Sequence, residues 1–338
     1  MGEKGGMAST ILLVNADASN RADWGTLLEH YGYKVAEARD GKAALEECSR
    51  LQPDLVLMGG PLPGLTQFQV CRELKSTPLT RHTPVVMMLP RGDAPEFAQM
   101  EEAKAAGVDD FWGRPGSKWE ALNRIQSMLQ LKLYIDQQAE AVVLALARSL
   151  EAKDPRTERH SERLVCYAQQ LGESLGMSEE ELRALRVASL VHDIGKVGVP
   201  DSILSKPGRL NRLEMEVMRQ HPITGEKICA PLKAFREALP AIRHHHERMD
   251  GSGYPDGLEG EEIPLAARAL QIADIYDALT TDRPYRRAMT PEWALEVMMS
   301  EAHRGWLDLS LVCRFSDLCH SPRFVAPCGV CSLGSRLV

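Results

Sequence analysis

Two short stretches hold the residue types that chemistry needs. One reads His192-Asp193-Ile194-Gly195-Lys196. The other reads His245-His246-Glu247-Arg248-Met249-Asp250-Gly251-Ser252-Gly253-Tyr254-Pro255. Imidazole nitrogens and carboxylate oxygens suit the borderline transition metals. In the second stretch Gly251, Gly253 and Pro255 describe a loop of fixed backbone rather than a helix or strand. His160, His221 and Asp274 are further donor candidates along the chain. Added to His192, Asp193, His245 and His246, they exceed what one ion needs and suit two divalent metals bridged by a carboxylate. Adjacency of His192 and Asp193 lets one helix end offer an imidazole to one metal and a bridging carboxylate to both. A two-metal site supplies a nucleophile for in-line attack on phosphorus and stabilises the charge that develops there. Each piece also has a plain reading. A His-Asp doublet caps helices, and His221-Pro222 starts one, so spacing alone leaves both readings open.

The elements that must position these groups are helices. Ser178-Glu179-Glu180-Glu181 is a capping box. It opens a helix with apolar positions at Leu182, Leu185, Ala188, Leu190 and Val191, and that helix delivers His192-Asp193 at its end. Further helices are expected at 212–219, 222–229, 239–246, 265–281 and 291–302. Strand signals are missing from this half, which reads as an all-α helical bundle.

The first half differs. Short apolar runs at 11–14, 35–38, 54–58, 84–89 and 110–112 alternate with helical patterns at 21–31, 41–50, 68–76 and 95–106. That alternation predicts an α/β doubly wound parallel sheet with helices on both faces. Between the halves, 118–130 reads as the last helix of the sheet domain. Helical spacing then continues through Leu131, Tyr134, Ile135, Val142, Val143, Leu146 and Leu150, with no Gly or Pro before Pro155. Two domains result: a sheet domain at 8–131 and a bundle at 154–316, with a helical connector at 132–153 and an irregular tail at 317–338. A connector of this kind pairs with its twin in a homodimer or packs on its own domain.

The 338 residues are 44% hydrophobic and 26% charged, with a net charge of −7. That balance gives no whole-protein basic field, so DNA is not an expected partner. A small anionic substrate remains compatible if metals and a few arginines supply local positive charge. No apolar run approaches the roughly 20 residues of a membrane span, and the first residues lack the apolar core of a signal peptide. The expected location is cytoplasmic, where disulfides among the eight cysteines are not expected. Cys319-His320 and Cys328-Gly329-Val330-Cys331 offer zinc donors in principle, but an irregular end is the favoured reading of the tail.

The first half resembles the receiver domain of bacterial response regulators. The resemblance rests on Ile11-Leu12-Leu13-Val14, Gly32-Tyr33-Lys34-Val35, Pro53-Asp54-Leu55-Val56-Leu57, Pro84-Val85-Val86-Met87, Ala106-Gly107-Val108-Asp109-Asp110-Phe111 and Arg114-Pro115. Receivers take phosphate on an aspartate that ends the third strand. Here that position is Gly59, so there is no phosphoacceptor. The acidic pair that holds Mg²⁺ falls on Asn15 and Ala16, with Asp17 left nearby. The Thr or Ser position falls on Leu89 and the Lys position on Arg114. The expectation is a pseudo-receiver that docks, dimerises or senses by another route.

The second half resembles an HD-GYP domain, a bacterial subclass of the His-Asp metal-dependent phosphohydrolases. It carries His192-Asp193-Ile194-Gly195-Lys196-Val197-Gly198-Val199-Pro200, the whole His245–Pro255 stretch, and Ile272-Ala273-Asp274-Ile275-Tyr276-Asp277-Ala278-Leu279-Thr280-Thr281-Asp282-Arg283-Pro284-Tyr285-Arg286. The resemblance implies a cyclic di-GMP phosphodiesterase yielding pGpG and often GMP, with a centre of two or three metals, commonly iron or manganese. It makes His160, His192, Asp193, His221, His245, His246 and Asp274 the ligands, with Asp193 bridging. Lys196 would hold substrate phosphate or the leaving oxygen, and Arg283 and Arg286 would grip phosphates. The Gly253-Tyr254-Pro255 loop would wall the pocket and recruit protein partners, and Asp250 would order that loop or a ligand histidine. Members with a third metal carry a Glu one turn before His160. Here Arg156 stands there, so two ions are expected. Hydrolysis of another cyclic dinucleotide, or sensing without turnover, are the alternatives.

Overall fold

Residues 9–88, 97–112, 118–153, 159–282, 287–322 and 324–325 are described by the computed structural model. The chain divides into two compact units, Met1–Gln138 and Ala139–Val338.

In the first unit the elements run β1 (Thr10–Asn15), α1 (Ala18–His30), β2 (Lys34–Ala38), α2 (Gly41–Leu51), β3 (Leu55–Gly59), α3 (Gln67–Ser76), β4 (Val85–Met88), α4 (Phe97–Ala106), β5 (Asp110–Trp112) and α5 (Lys118–Lys153). The five strands are parallel in the order β2-β1-β3-β4-β5. Strand alternation sorts the core into two layers. Leu12, Val14, Val56, Met58, Val85 and Met87 face one side, with Ala44, Cys48, Val70 and Leu74. Ile11, Leu13, Leu55, Leu57 and Val86 face the other, with Leu28, Trp112, Ile125 and Leu129. A strand buried on both faces must be apolar throughout, and every residue of β3 is buried. The first helix starts at Ala18 rather than Arg21 because Asp17 accepts hydrogen bonds from the Ser19 and Asn20 amides and caps it there. α5 runs unbroken across the boundary between the units.

The second unit continues with α6 (His160–Ser174), α7 (Glu179–Val191), α8 (Asp201–Leu204), α9 (Arg212–Met218), α10 (His221–Cys229), α11 (Leu239–His244), α12 (Leu265–Thr280), α13 (Pro291–His303) and α14 (Leu309–Cys319), with 3-10 turns at Ile194–Gly198, Lys233–Ala238 and Gly260–Glu262. No strand occurs among its described residues. Helix α12 is the axis: Ala267, Ala269, Leu270, Gln271, Ile272 and Ala273 are all buried. A helix buried all round needs neighbours on each side, here including Leu164 and Leu171, Leu185, Ile242, Met298 and Phe315.

Two helix ends differ from expectation. The helix expected over 239–246 stops at His244. On a continuing helix, adjacent side chains diverge by about 100°; past the helix end the His245 and His246 rings lie 4.1 Å apart. Periodicity fades after Phe315, yet α14 runs to Cys319, started by Asp308, which accepts from the Ser310 and Leu311 amides. Just beyond it Phe324 stacks on Tyr167, which draws the chain back onto the bundle. Among the described residues, no helix is long and apolar enough to cross a membrane.

Candidate metal centre

Helix α7 is started by the reciprocal Ser178–Glu181 cap and ends with His192 as its C-cap. The chain then tightens into the 3-10 turn that begins after Asp193. Gly195 in that turn lies against α10: a Cβ there would sit 1.9 Å from the His221 carbonyl oxygen and 2.5 Å from the Gly225 nitrogen. Only a glycine permits this backbone approach, and the approach sets His221 beside Asp193. The two oxygens of Asp193 then face different groups. Oδ1 lies 3.3 Å from His221 Nε2, and Oδ2 lies 3.5 Å from His192 Nε2.

All seven candidate ligands fall into two clusters. Asp193, His221, His245 and His246 form one, and His160, His192 and Asp274 the other, with the donor atoms of each within 4.8 Å of one another. The backbone prepares the rings for this. Nδ1 of His192 pairs with the Ser189 carbonyl at 3.2 Å, that of His221 with Met218 at 2.8 Å, and that of His245 with Ile242 at 2.8 Å. A ring that donates from Nδ1 presents a bare lone pair at Nε2. His192 Nε2 is buried and has no hydrogen-bond partner among the described residues. Nε2 of His221 faces Nε2 of His245 at 3.4 Å, two acceptors turned toward one point. A divalent cation satisfies such orphaned acceptors, and the donor set of imidazole and carboxylate fits it.

Charge in the centre agrees with ligation. Burial pushes His245 well below the ordinary imidazole range, reinforced by His246 and His192. Burial, then His221, brings His246 down to about 3, and burial lowers His221 also. These three rings are neutral near pH 7 and free to donate lone pairs. Burial opposes ionisation of Asp193, but Lys196 and the neighbouring imidazoles outweigh it and hold the carboxyl well below its usual range. Lys196 Nζ lies 2.5 Å from Asp193 Oδ2.

His160 is held differently. Its Nε2 lies 3.5 Å from Asp274 Oδ1, while its Nδ1 pairs with Asp277 Oδ2 at 2.7 Å. Burial lowers its proton affinity, but Asp277 and Asp274 together raise it. Asp277 is buried and also accepts a two-pronged contact from Arg163, Nε to Oδ1 at 2.6 Å and Nη2 to Oδ2 at 2.9 Å. Sequence reasoning missed Asp277. The available signal was its position three residues after Asp274 on α12, which puts the two on one face.

The glycine-rich loop closes over the second ligand pair. Gly251 has φ +74. A Cβ on Gly253 would sit 2.4 Å from the Arg248 nitrogen and 2.4 Å from Glu247 Cα. Tyr254, which precedes Pro255 through a cis bond, stacks on His246 at 4.8 Å and donates its amide to the His246 carbonyl. Asp250 accepts from the Ser252 amide at 2.9 Å and so orders the loop itself rather than a histidine. Buried Glu247, a second residue that sequence reasoning passed over, receives the Asp256 and Gly257 amides and ties down the far end of the loop. His244 turns away from the centre to Asp256. Arg156, Arg283, Arg286, Cys328 and Cys331 lie outside the described residues.

In the first unit, Gly59 ends β3 in register with Asn15 on β1, at the switch point where sheets of this order bind ligands. A Cβ on Gly59 would meet Asn15 Nδ2 at 2.7 Å and Met88 Cε at 3.0 Å, so neighbours fill the space a phosphoacceptor side chain would need. Asp17 is engaged in capping α1, and Asp54 accepts from the Thr10 amide at the other end of the sheet. Leu89 and Arg114 lie outside the described residues.

A model of the HD domain matches residues 145–311, and a model of the response regulator receiver domain matches residues 11–126. The chain is 35% identical over 332 residues to the cyclic di-GMP phosphodiesterase response regulator RpfG of Xanthomonas campestris pv. campestris, covering 89% of this chain and 86% of that protein. A probable cyclic di-GMP phosphodiesterase of Vibrio cholerae is 33% identical over 327 residues, covering 86% of this chain and 73% of its own length. A 3'3'-cGAMP-specific phosphodiesterase 3 of Vibrio cholerae is 40% identical over 168 residues, covering 50% of this chain and 36% of its own length.

Proposed function

The chain belongs to the family that joins a response regulator receiver domain to an HD domain, and from that membership we propose that it is a metal-dependent phosphodiesterase hydrolysing cyclic di-GMP to linear pGpG, with GMP as the further product. The observation that carries this reading is the division of Asp193, one carboxylate oxygen toward His221 and the other toward His192. A bridging carboxylate between two clusters is what a two-metal phosphohydrolase requires. His160, His192 and Asp274 would hold one divalent ion, His221, His245 and His246 the other, and Asp193 both; iron or manganese suits these donors. Ions so held supply Lewis acidity toward a phosphoryl oxygen and make water a nucleophile at neutral pH.

The protein's own groups orient and neutralise. Lys196 sits at the bridging carboxylate, where its ammonium would meet a substrate phosphate or the leaving oxygen. Arg283 and Arg286 would grip the remaining phosphate oxygens through planar forks. Tyr254 and the glycines around it wall the centre and offer a partner surface. Leu131, Tyr134, Ile135, Val142 and Leu146 are exposed along α5, and this apolar surface supports a homodimer paired through that helix. The six cysteines among the described residues are free thiols, which supports a cytoplasmic location.

The experiment is turnover by the purified chain loaded with Mn²⁺ or Fe²⁺, offered cyclic di-GMP, 3'3'-cGAMP and a generic phosphodiester side by side. Hydrolysis of cyclic di-GMP, lost together with metal binding in Asp193→Ala, is expected. No turnover of any substrate with metal bound would sink the enzyme reading. A second reading, 3'3'-cGAMP as substrate, is favoured by the 40% identity to a cGAMP-specific enzyme over half of this chain. The ratio of the two turnover rates decides between them.

A further inference from the structure

Helix α6 begins at His160, a candidate ligand, and begins without a cap of its own. Its N-cap residue is Arg159, in left-handed backbone at φ 57, and makes no side-chain cap hydrogen bond. A guanidinium has donors and no acceptor, so Arg159 cannot receive a first-turn amide. The acceptor comes instead from the last turn of α5. Glu151 Oε1 accepts the Ser161 amide at 2.9 Å, and Oε2 accepts the Ser161 hydroxyl at 2.9 Å. A carboxylate at a helix N-terminus is favoured by the macrodipole as well as by the bonds themselves.

The same turn of α5 reaches the centre. Ala147, Leu150 and Glu151 line one cavity with His160, His192 and Lys196. His160 is therefore fixed from two sides. Asp277 on α12 holds its Nδ1, and Glu151 holds the backbone one residue on.

We infer that Glu151 is a positioning residue for the His160, His192 and Asp274 cluster. By capping α6 from the end of α5 it fixes the first-turn backbone from which His160 projects. A displacement of α5 then changes metal affinity at this cluster before it changes affinity at Asp193, His221, His245 and His246, whose backbones belong to other elements. The helix that leaves the first unit thus ends on a handle for one metal subsite. This inference rests on the two-metal reading above.

The test is Mn²⁺ binding by the chelated full chain, followed by loss of the free-ion EPR signal. The variants are Glu151→Ala, Glu151→Gln, Glu151→Met and His160→Ala, alone and with Glu151→Ala. Wild type binds two ions. Glu151→Ala weakens one class of site by about tenfold or more, the scale of an outer-shell loss, and leaves the other unchanged. Glu151→Gln restores binding, since an amide can accept the Ser161 amide and donate to its hydroxyl. In the His160→Ala background, adding Glu151→Ala changes nothing further. Equal weakening of both classes, no weakening, or failure of Gln to rescue overturns the inference. If Glu151→Ala does not fold, Glu151→Met decides, since it keeps the length of the side chain and removes both acceptor oxygens: weakening of one class supports the inference, and wild-type binding overturns it. A wild type that binds fewer than two ions sinks the metal-centre reading instead, and is distinguished by being seen before any variant is compared.

Discussion

Asp277 Oδ2 and His160 Nδ1 lie 2.7 Å apart, and the same carboxylate takes the fork of Arg163. The pair turns the far nitrogen of His160 toward Asp274. Burial opposes the charge on Asp277, but His160 and Arg163 hold its carboxyl below the usual range. Asp277→Asn keeps an acceptor for the ring and loses the charge, so metal affinity should fall by about 10–100-fold. Asp277→Ala also strips the main counter-charge from half-buried Arg163 and should cost about 3 kcal/mol of stability. Metal titration and denaturant melts of the two variants check both. Unchanged affinity in Asp277→Asn would remove Asp277 from the centre.

The depressed histidines make stability depend on pH in a set direction. His246 ionises near 6.5 when unfolded and at about 3 when folded, and His245 is shifted the same way. Between those values the unfolded chain binds the proton and the folded one does not. Their contribution is therefore fully present above about pH 6.5 and is lost as pH falls toward 3. The slope is at most about 1.4 kcal/mol per pH unit for each ring. His160 is shifted upward and works oppositely: its contribution is present below its unfolded value and fades as pH rises through its folded one. Metal-free protein melted at a series of pH values should lose stability below pH 6.5, and His246→Gln should flatten that slope. A flat profile in the wild type would contradict the burial of these rings as neutral groups.

The first unit should be deaf to phosphoryl donors. Gly59 has no carboxylate, and Asn15 and Met88 stand where a longer side chain would go. Acetyl phosphate should leave residues 9–138 unlabelled in intact-mass and peptide analysis. Gly59→Asp should fold with a stability close to that of the wild type, because the atoms it meets are the movable ends of the Asn15 and Met88 side chains. Labelling of the wild-type unit would overturn its reading as a pseudo-receiver.

Much of this arrangement is legible before any coordinates, and the parts that are not share a cause. Histidines and acids at helix ends or on helices offer themselves as donors by residue type, so the groups of both clusters can be assembled from the sequence. Asp277, an acid on the same helix as Asp274, is not told apart by type alone. The alternating apolar runs likewise mark all five strands. Contacts that depend on where a helix stops are hidden. Separation of His245 and His246 from α11 is decided by local turn geometry, and Asp17 advances α1 by capping where hydrophobic periodicity is silent. Long-range polar contacts are hidden too. Neither Glu151 holding Ser161 nor Glu247 holding the Asp256 amide leaves a periodic trace, because each joins separate elements. Gly195 is intermediate: its type is visible, but the carbonyl it must clear is known only once α10 is placed against it.

Lys196 separates binding from turnover. Its ammonium lies 2.5 Å from Asp193 Oδ2, the oxygen that faces His192. A cation arriving at that oxygen must displace or repel the lysine charge, so Lys196 opposes metal binding while it favours an anionic substrate. Lys196→Met should leave Mn²⁺ affinity equal to or above that of the wild type. Turnover of cyclic di-GMP should nevertheless fall by about 10²–10³-fold, the scale set by removing one electrostatic donor to a developing oxyanion. If the ammonium holds substrate and transition state equally, the loss falls on KM and kcat holds; if it meets the leaving oxygen only in the transition state, kcat falls and KM holds. Metal titration beside steady-state kinetics on one preparation reads both. A parallel fall in metal affinity and turnover would mean that Lys196 serves the metal site and not the substrate.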